Sequence, residues 1–274
     1  VFKFSAQRFL RPVYYYSQKV QILQLTNSFD LSNYEKLDFL GQGGFGAVFK
    51  IRHKKSGEIF AAKISLKYFL SKNEQQLLYI KREVNAMLAL NHPSVLKFEG
   101  FSLQDFFTEP KPVIVMEFAA GNSVQQQINL ERVSQAGPWD ETKKLICVYG
   151  LASGMKYLHS NNMIHRDLKP DNILLTEELL PKIADFGLAK QIHSNNDSMT
   201  TESEFSFKGT KNYCSPEIFH ANVYSKASDV YAFAMTIYAI MTTETPFGGL
   251  QPDEIKSKVL NNERPQIPKS LINP

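Results

Sequence analysis

The chain has 274 residues and contains two cysteines, one tryptophan and no long uncharged apolar run. Cys147 and Cys214 are too few for a disulfide framework, so we expect a reducing, cytoplasmic environment. The longest uncharged apolar stretch, residues 230–241, is much shorter than the roughly 20 residues of a membrane-spanning helix and predicts a buried helix. The sequence also lacks an initial methionine and a signal peptide, so we expect it to be a piece of a longer protein.

The chain also carries little net charge. The formal net charge is +4. Residues 1–33 hold four basic residues and one acidic residue, so the rest of the chain is almost neutral. A near-neutral body gives no electrostatic footprint for nucleic acid or for a membrane surface. We therefore expect neither as a partner.

The pattern of apolar residues changes along the chain. Residues 1–33 are rich in aromatics without a period, and we leave them as an unassigned N-terminal flank. Short β-like runs follow at 34–40, 47–52, 59–64 and 113–118. Helical patterns dominate afterwards, including an apolar stripe before residue 164 formed by Leu145, Val148, Leu151, Ala152, Met155 and Leu158. The sequence predicts an α+β protein with a β-rich lobe at 34–117 and a mostly helical lobe at 118–274.

Residues 164–175, I-H-R-D-L-K-P-D-N-I-L-L, crowd charged and amide side chains into one short loop. Their spacing fits H-R-D-L-x-x-x-N, the catalytic-loop pattern of protein kinases. The chain therefore resembles a eukaryotic protein kinase, from about Tyr34 to Pro274. The resemblance implies the bilobal protein kinase fold, with ATP and Mg²⁺ as cofactors.

By this resemblance, each polar residue of the loop has its own role. Asp167 would be the catalytic base that accepts the proton of a substrate hydroxyl, and Lys169 would neutralise the transferring phosphate. Asn172 would bind Mg²⁺. Arg166 would be available to a phosphate elsewhere, whereas His165 is expected in the core. A merely structural, salt-bridged turn is the competing interpretation, and the other motifs of the chain disfavour it.

A glycine-rich segment, G-Q-G-G-F-G-A-V, occupies residues 41–48 and fits G-x-G-x-x-G-x-V. Glycines let backbone N–H groups approach phosphates closely, and the residues expected at ATP are Gly41, Gln42, Gly43 and Gly46. The shorter G-x-G-x-x-G pattern also occurs in dinucleotide-binding folds, where it opens a helix. Here β-like sequence flanks it on both sides, which favours a phosphate-covering hairpin.

An ion pair is expected between Lys63 and Glu83. Residues 60–63, F-A-A-K, resemble the V-A-I-K strand of kinases, whose lysine reaches the α- and β-phosphates of ATP. Glu83 lies on a predicted helix ten residues before Pro93, as the family's layout requires. Glu74 is a rival, but it lies earlier and off the apolar face of that helix.

The D-F-G tripeptide at residues 185–187 follows the catalytic loop in the expected order. By resemblance, Asp185 would chelate Mg²⁺ between the β- and γ-phosphates, and Phe186 would pack beneath the helix that carries Glu83. The adenine pocket would be completed by a bulky residue at its back wall, hinge residues and three apolar side chains: Met116, Glu117, Ala119, Val48, Ala61 and Leu174.

Residues 193–207 are polar and rich in serine and threonine. They could be an ordinary flexible surface loop or an activation loop that phosphorylation orders. A phosphate brings nearly two negative charges and pairs well with arginine, for which Arg166 is the natural partner. Ser206 is the first candidate phosphosite and Ser203 the second, from their position before residues 209–210.

Several features refine the resemblance. Lys169 with Thr210 is typical of serine/threonine kinases, and R-P-Q-I-P at 264–268 resembles the tyrosine-kinase-like group. The kinase C-terminal lobe usually has further helices beyond this point. We therefore expect a C-terminally incomplete lobe in which Glu217, of the S-P-E segment at 215–217, lacks its usual arginine partner.

The function expected from the resemblance is transfer of the γ-phosphate of ATP to serine or threonine hydroxyls of protein substrates. An upstream kinase or autophosphorylation would activate it. A pseudokinase that binds nucleotide or partners without turnover is one alternative, and a small-molecule kinase on a related fold is another. The catalytic set disfavours the first, and the long activation loop with its S-P-E segment disfavours the second.

Overall fold

The structure is a computed structural model that describes residues 29–43, 46–66, 84, 87–88, 90–102, 104–133, 139–191, 200–201 and 210–272. The chain divides into two compact units. The first unit contains residues 1–72 and 98–117, and the second contains residues 73–97 and 118–274. Each unit is described by itself.

The first unit is a five-stranded antiparallel sheet with the strand order β1-β2-β3-β5-β4. Its strands are β1 (Tyr34–Gln42), β2 (Gly46–His53), β3 (Ile59–Ser65), β4 (Phe98–Ser102) and β5 (Val113–Glu117). Three of the four β-like runs of the sequence lie within these strands, and the fourth, 113–118, extends one residue beyond β5. β4 was missed, because its segment F-E-G-F-S interrupts the apolar pattern with a charge and a glycine.

One face of this sheet carries the hydrophobic core of the unit. Side chains alternate across a strand, so Ala62 and Ile64 of β3 point to the same face. They pack with residues of β2, β5 and the segment before β1, namely Ile51, Val113, Val115 and Leu31. The opposite face is thereby left to Ala61 and Lys63, and the candidate site below is built on it.

The segment just before β1 belongs to this unit. The Phe29 N–H donates to the Phe101 carbonyl at 3.3 Å, and the Phe29 ring stacks on Tyr34 with 4.6 Å between centroids. Gly100 makes room for that ring, since a Cβ there would lie 2.1 Å from a Phe29 ring carbon. The flank that the sequence left unassigned therefore packs on the sheet from Phe29 onward.

The second unit is mostly helical. The helices whose bounds lie within the described residues are α1 (Val124–Val133), α2 (Glu141–Ser160), α3 (Pro216–Ala221), α4 (Lys226–Thr242), α5 (Pro252–Leu260) and α6 (Lys269–Ile272). Three short two-stranded pairs accompany them: β6 (Met163–Ile164) with β9 (Lys190–Gln191), β7 (Ile173–Leu175) with β8 (Pro181–Ile183), and β10 (Thr200–Thr201) with β11 (Val223–Tyr224). A β-sheet unit and a helical unit make the α+β fold that the sequence predicts.

The apolar stripe predicted for α2 is partly wrong. Leu145 is 59% exposed, whereas its neighbour Lys144 is 7% exposed. Lys144 is buried because its Nζ pairs with Glu131 Oε1 of α1 at 2.5 Å. The buried positions of the helix are therefore set by this pair together with Cys147, Leu151, Gly154, Met155 and Leu158.

The buried helix predicted for residues 230–241 lies within α4. Ser225 caps it, and Ser225 and Ser228 exchange hydrogen bonds in a capping box that fixes where the helix begins. Val230 is 56% exposed, so only part of the run is buried. Within the described part of the chain, no helix has the length and apolar character needed to cross a membrane.

Candidate active site

The charged loop of residues 165–169 lies between β6 and a single 3₁₀ turn at Pro170–Asn172. β6 pairs with β9, and β7 pairs with β8, so both ends of the loop are attached to short antiparallel ladders. The segment is well buried, with His165, Arg166, Leu168 and Asn172 each less than 9% exposed. A polar loop that is this buried needs internal hydrogen-bond partners.

Asp229, in the first turns of α4, supplies those partners for the loop backbone. Its Oδ2 accepts from the His165 N–H at 2.8 Å, and its Oδ1 accepts from the Arg166 N–H at 2.9 Å. His159, at the end of α2, contacts Oδ2 through its Nε2 at 3.0 Å. The carboxylate is 1% exposed, so these contacts form in a dry environment. One side chain therefore fixes two consecutive peptide groups beside the candidate base.

His165 lies in the core, as expected. It is fully buried, and its Nε2 donates to the Ala184 carbonyl at 2.9 Å. Its ring also makes an edge contact with Phe186 at 5.3 Å between centroids. These contacts link the catalytic loop directly to the D-F-G segment.

Two residues of the site adopt left-handed backbone conformations. Arg166 has φ of 73° and Asp185 has φ of 61°. For residues other than glycine such a conformation costs on the order of 1–2 kcal/mol, and it persists only where the surroundings impose it. For Arg166, the hydrogen bond from its N–H to Asp229 is part of that restraint.

The carboxylate of Asp167 lies between a cation and an amide. Its Oδ2 contacts Lys169 Nζ at 3.1 Å and accepts from Asn172 Nδ2 at 3.0 Å. The same Asn172 amide also donates to the Asp167 carbonyl at 2.7 Å. Asn172 therefore fixes both the backbone and the side chain of Asp167. The Asp167 side chain remains 13% exposed.

Thr210, which lies after the serine- and threonine-rich stretch 193–207 in the chain, extends this arrangement. Lys169 Nζ donates to Thr210 Oγ1 at 2.8 Å, which joins Asp167, Lys169 and Thr210 in one polar chain. Cys214 lies beneath it, and its thiol contacts the Thr210 carbonyl at 3.4 Å. Burial, reinforced by the nearby Asp167 charge, raises the pKa of the Cys214 thiol to about 12. Cys214 is therefore a protonated packing residue at neutral pH.

The two predicted magnesium ligands lie on either side of the β7–β8 pair. The Asn172 carbonyl accepts from the Ala184 N–H at 2.9 Å, and Ala184 immediately precedes Asp185. Among the described residues, no cluster of three or more His, Cys, Asp and Glu side chains could form an all-protein metal cage. Magnesium commonly takes one or two protein ligands plus water and phosphate oxygens, so two residues are sufficient. Asn172 uses its NH₂ group toward Asp167, which leaves its amide oxygen as the group suited to a cation.

In the first unit, strand register places four predicted ATP residues on one face of the sheet. Val48 is paired with Lys63, and Ala61 is paired with Met116. Directly paired residues share a face, and residues two apart on a strand share it too. Ala61 and Met116 are each 7% exposed, whereas Lys63 is only partly buried. This face lies opposite the hydrophobic core of the unit.

The glycines of the β1–β2 hairpin fall into two kinds. A Cβ on Gly46 would lie 2.7 Å from the Ile64 carbonyl oxygen, so the contact between β2 and β3 requires glycine there. A Cβ on Gly41 or Gly43 would meet nothing within 4 Å. Protein packing therefore does not explain glycine at these two positions. Gln42, between them, is exposed and paired with Ala47.

The remaining adenine-pocket candidates are Glu117, Ala119 and Leu174, and each is described within its own unit. Glu117 ends β5 of the first unit, opposite Phe60. Ala119 lies in the second unit and has no regular structure. In the second unit, Leu174 lies on β7, opposite Lys182, and bridges to Ser123. Glu83, Ser203 and Ser206 lie outside the described residues, so the predicted Lys63–Glu83 ion pair and both phosphosites remain predictions.

Sequence reasoning missed His159. It contacts Asp229 across 70 residues of chain, and its position at the end of a long helix looks like an ordinary surface site. No short motif indicates such a partner, because the contact depends on how α2 and α4 pack.

The comparisons with known proteins agree with this geometry. A family model for the protein kinase domain matches residues 34–272. The chain belongs to the protein kinase domain family. The match begins at the first residue of β1, so Phe29 lies outside the matched region, whereas the residues it contacts lie inside it.

This kinase domain is similar to several curated protein kinases, two of which are named as serine/threonine kinases. It is 34% identical over 239 residues to serine/threonine-protein kinase ppk21 of Schizosaccharomyces pombe, with 85% of this chain and 41% of that protein covered. It is 31% identical over 245 residues to Protein kinase C-like 1 of Caenorhabditis elegans, with 89% and 32% covered. It is 30% identical over 232 residues to Serine/threonine-protein kinase 36 of Pongo abelii, with 85% and 16% covered. The chain thus spans less than half the length of these relatives.

Proposed function

We propose that this kinase domain transfers the γ-phosphate of ATP to serine or threonine hydroxyls of protein substrates. The observation that carries the proposal is the polar chain formed by Thr210, Lys169, Asp167 and Asn172. In it Lys169 and Asn172 hold the partly exposed Asp167 carboxylate, and Thr210 holds Lys169. Such positioning and charge neutralisation supply most of the catalysis in phosphoryl transfer.

Asp167 is the proposed base. Its Oδ2 carries the contacts to Lys169 and Asn172, and the carboxylate is partly accessible. A carboxylate held in this way can orient a substrate hydroxyl and accept its proton as the new phosphorus–oxygen bond forms, while the bond from the γ-phosphorus to the β,γ-bridging oxygen of ATP breaks and ADP leaves. Lys169, at 3.1 Å from this carboxylate, is suited to neutralise the phosphoryl oxygens, where negative charge is concentrated.

Magnesium is the proposed metal cofactor, with Asn172 and Asp185 as its protein ligands. Both offer oxygen atoms, which Mg²⁺ prefers, and few protein ligands are needed when phosphates complete the shell. The bound metal would supply charge neutralisation at the β- and γ-phosphates. The chain's own contribution is to orient these oxygens, through the Asn172 amide bonded to Asp167 and the left-handed backbone of Asp185.

The first unit would bind the nucleotide. The face that carries Val48, Ala61, Lys63 and Met116 combines three apolar side chains with one cation, which suits an adenine ring followed by phosphates. Gly41 and Gly43 have open space where a side chain would be, so a phosphate could approach their backbone. The proposed pairing of Lys63 with Glu83 and the hinge roles of Glu117 and Ala119 rest on the family resemblance, as does the role of Leu174.

Regulation and setting are further parts of the proposal. Phosphorylation of Ser206 or Ser203, by an upstream kinase or by the protein itself, would place negative charge for Arg166 to bind. The R-P-Q-I-P segment at 264–268 supports placement in the tyrosine-kinase-like group. The two cysteines are both unpaired and buried, which supports a reducing, cytoplasmic setting.

The test is transfer of labelled phosphate from ATP with Mg²⁺ to a generic basic protein, followed by acid hydrolysis and phosphoamino-acid analysis. We expect labelled phosphoserine or phosphothreonine and no phosphotyrosine. The matched control is Asp167→Asn, which preserves shape and should lower kcat by at least about a hundredfold. Equal transfer by the variant would refute Asp167 as base. Nucleotide binding without transfer by the wild type would favour the pseudokinase alternative.

A further inference from the structure

The start of α4 directs two side chains at the same residue of the catalytic loop. Tyr224 immediately precedes the N-cap Ser225, and Asp229 is the fourth residue of the helix. The residue before the N-cap and the fourth residue of a helix lie next to each other, and in many proteins both are apolar and form a hydrophobic staple. In this kinase domain both positions contact Arg166 instead.

The two contacts hold opposite ends of Arg166. Asp229 Oδ1 accepts from its backbone N–H at 2.9 Å. The Tyr224 ring lies beneath its guanidinium, with Cζ 4.3 Å from the ring centroid. Tyr224 is 0% exposed and Arg166 is 6% exposed. A cation over an aromatic face is attracted most strongly where water is excluded, so this stack lies in a favourable environment.

The stack restrains the residue next to the proposed base. Arg166 has φ of 73°, a conformation that an arginine keeps only when its surroundings impose it. Asp167 follows directly in the chain, so a change in the Arg166 backbone redirects the Asp167 carboxylate. The backbone of Tyr224 also pairs with Thr200 of β10, which attaches a strand of the activation segment to the same residue.

We propose that Tyr224 is a positioning residue for phosphate transfer, whose ring face holds the Arg166 guanidinium and so fixes the orientation of Asp167. This role rests on the proposed function, since it is measured through transfer. It requires the electron-rich face of the ring and not only its volume.

The experiment changes the ring's charge distribution at nearly constant volume. Tyr224 is replaced with Phe, and then with mono-, di- and trifluorinated phenylalanine introduced at the same position. We expect Tyr224→Phe to keep kcat within about twofold of the wild type. Across the fluorinated series, kcat should fall with each added fluorine, by about tenfold in total. The KM for ATP should stay within about twofold. The melting temperature should fall only slightly, because ring volume and packing are preserved and only the stack is weakened.

The matched control introduces the same trifluorinated residue at Phe247, which packs against the same hydrophobic cluster as Tyr224. There kcat should not change. An unchanged kcat across the fluorinated series at position 224 of an active enzyme would overturn the positioning role and leave the proposed function intact. An equal fall in kcat at position 247 would do the same. A wild type that transfers no phosphate would instead refute the proposed function itself, and this inference with it.

Discussion

The kinase domain positions its candidate residues in two different ways. On the sheet of the first unit, Val48, Lys63, Ala61 and Met116 share a face because main-chain ladders pair them directly. In the catalytic loop, no long ladder is present among the described residues, and side chains bind the backbone instead. Asp229 is the main example, since its two oxygens accept from consecutive N–H groups.

This difference predicts where each region is vulnerable. A ladder distributes its hydrogen bonds over many residues, so one side chain on it can change with little effect unless it blocks strand contact. The loop depends on single polar side chains, and loss of one leaves buried groups without partners. Four substitutions, each paired with a control variant, test this contrast, from the largest expected effect to the smallest.

Asp229→Ala should have the largest effect. It removes a buried carboxylate and leaves the His165 and Arg166 N–H groups without their acceptor. Loss of such a buried network costs about 3–5 kcal/mol. Urea unfolding followed by tryptophan fluorescence would measure it through Trp139. A loss below about 1 kcal/mol would show that the loop does not depend on this side chain.

Asp229→Asn provides the graded control. The amide keeps one acceptor oxygen of similar shape, so it can satisfy one of the two N–H groups. We expect its loss of stability to lie between those of the wild type and the alanine variant. Equal stability of the asparagine variant and the wild type would mean that one acceptor is enough.

Gly46→Ala should destabilise the sheet through backbone contact. Its Cβ would lie 2.7 Å from the Ile64 carbonyl oxygen, so β2 and β3 must move apart. Overpacking of this kind costs about 1–3 kcal/mol. Gly41→Ala, with open space around its Cβ, should change the free energy of unfolding by less than about 0.5 kcal/mol. Equal free energies of unfolding for the two variants would show that the sheet accommodates a Cβ at position 46 without loss of stability.

The sheet is the part of the fold that the sequence predicts well. Short β-like runs locate β1, β2, β3 and β5. Once β2, β3 and β5 are paired, the shared face of Ala61 and Lys63 follows from the period of a strand. β4 escaped prediction because a glycine and a charge stand where the pattern needs apolar residues. That glycine, Gly100, is needed for the close approach of Phe29, which comes from a distant part of the chain.

The loop is predicted differently. Its motif identifies which residues matter, and residues 229–234, D-V-Y-A-F-A, resemble a kinase motif whose aspartate, here Asp229, is expected to brace the loop backbone. The left-handed backbone of Arg166 and the contact of His159 with Asp229 depend on side chains 60 to 70 residues away. Local propensities contain no information about such partners. The same limitation explains the error in α2, where a distant Glu131 turns Lys144 into a buried residue.

Thr210→Val should affect turnover more than stability. Valine has the shape of threonine but cannot accept the hydrogen bond of Lys169 Nζ. Lys169 would then be restrained by Asp167 alone in the polar chain, and we expect kcat to fall about tenfold, the equivalent of about 1.4 kcal/mol. Thr210→Ser retains the hydroxyl and should stay within about threefold of the wild type. An equal fall in both variants would show that the hydrogen bond to Lys169 does not account for the effect, because the serine variant retains it.

Ser215→Ala should have the smallest effect, and it should be a gain. Ser215 is 1% exposed, and its Oγ has no hydrogen-bond partner within the described part of the chain. Removal of an unsatisfied buried hydroxyl should stabilise the domain by about 1 kcal/mol. Ser228 is the matched control, since it is equally buried but donates to the Ser225 carbonyl at 2.7 Å, so Ser228→Ala should lose about 1 kcal/mol. Opposite signs in these two variants would show that satisfied hydrogen bonds, and not burial alone, decide what polar groups contribute around the catalytic loop.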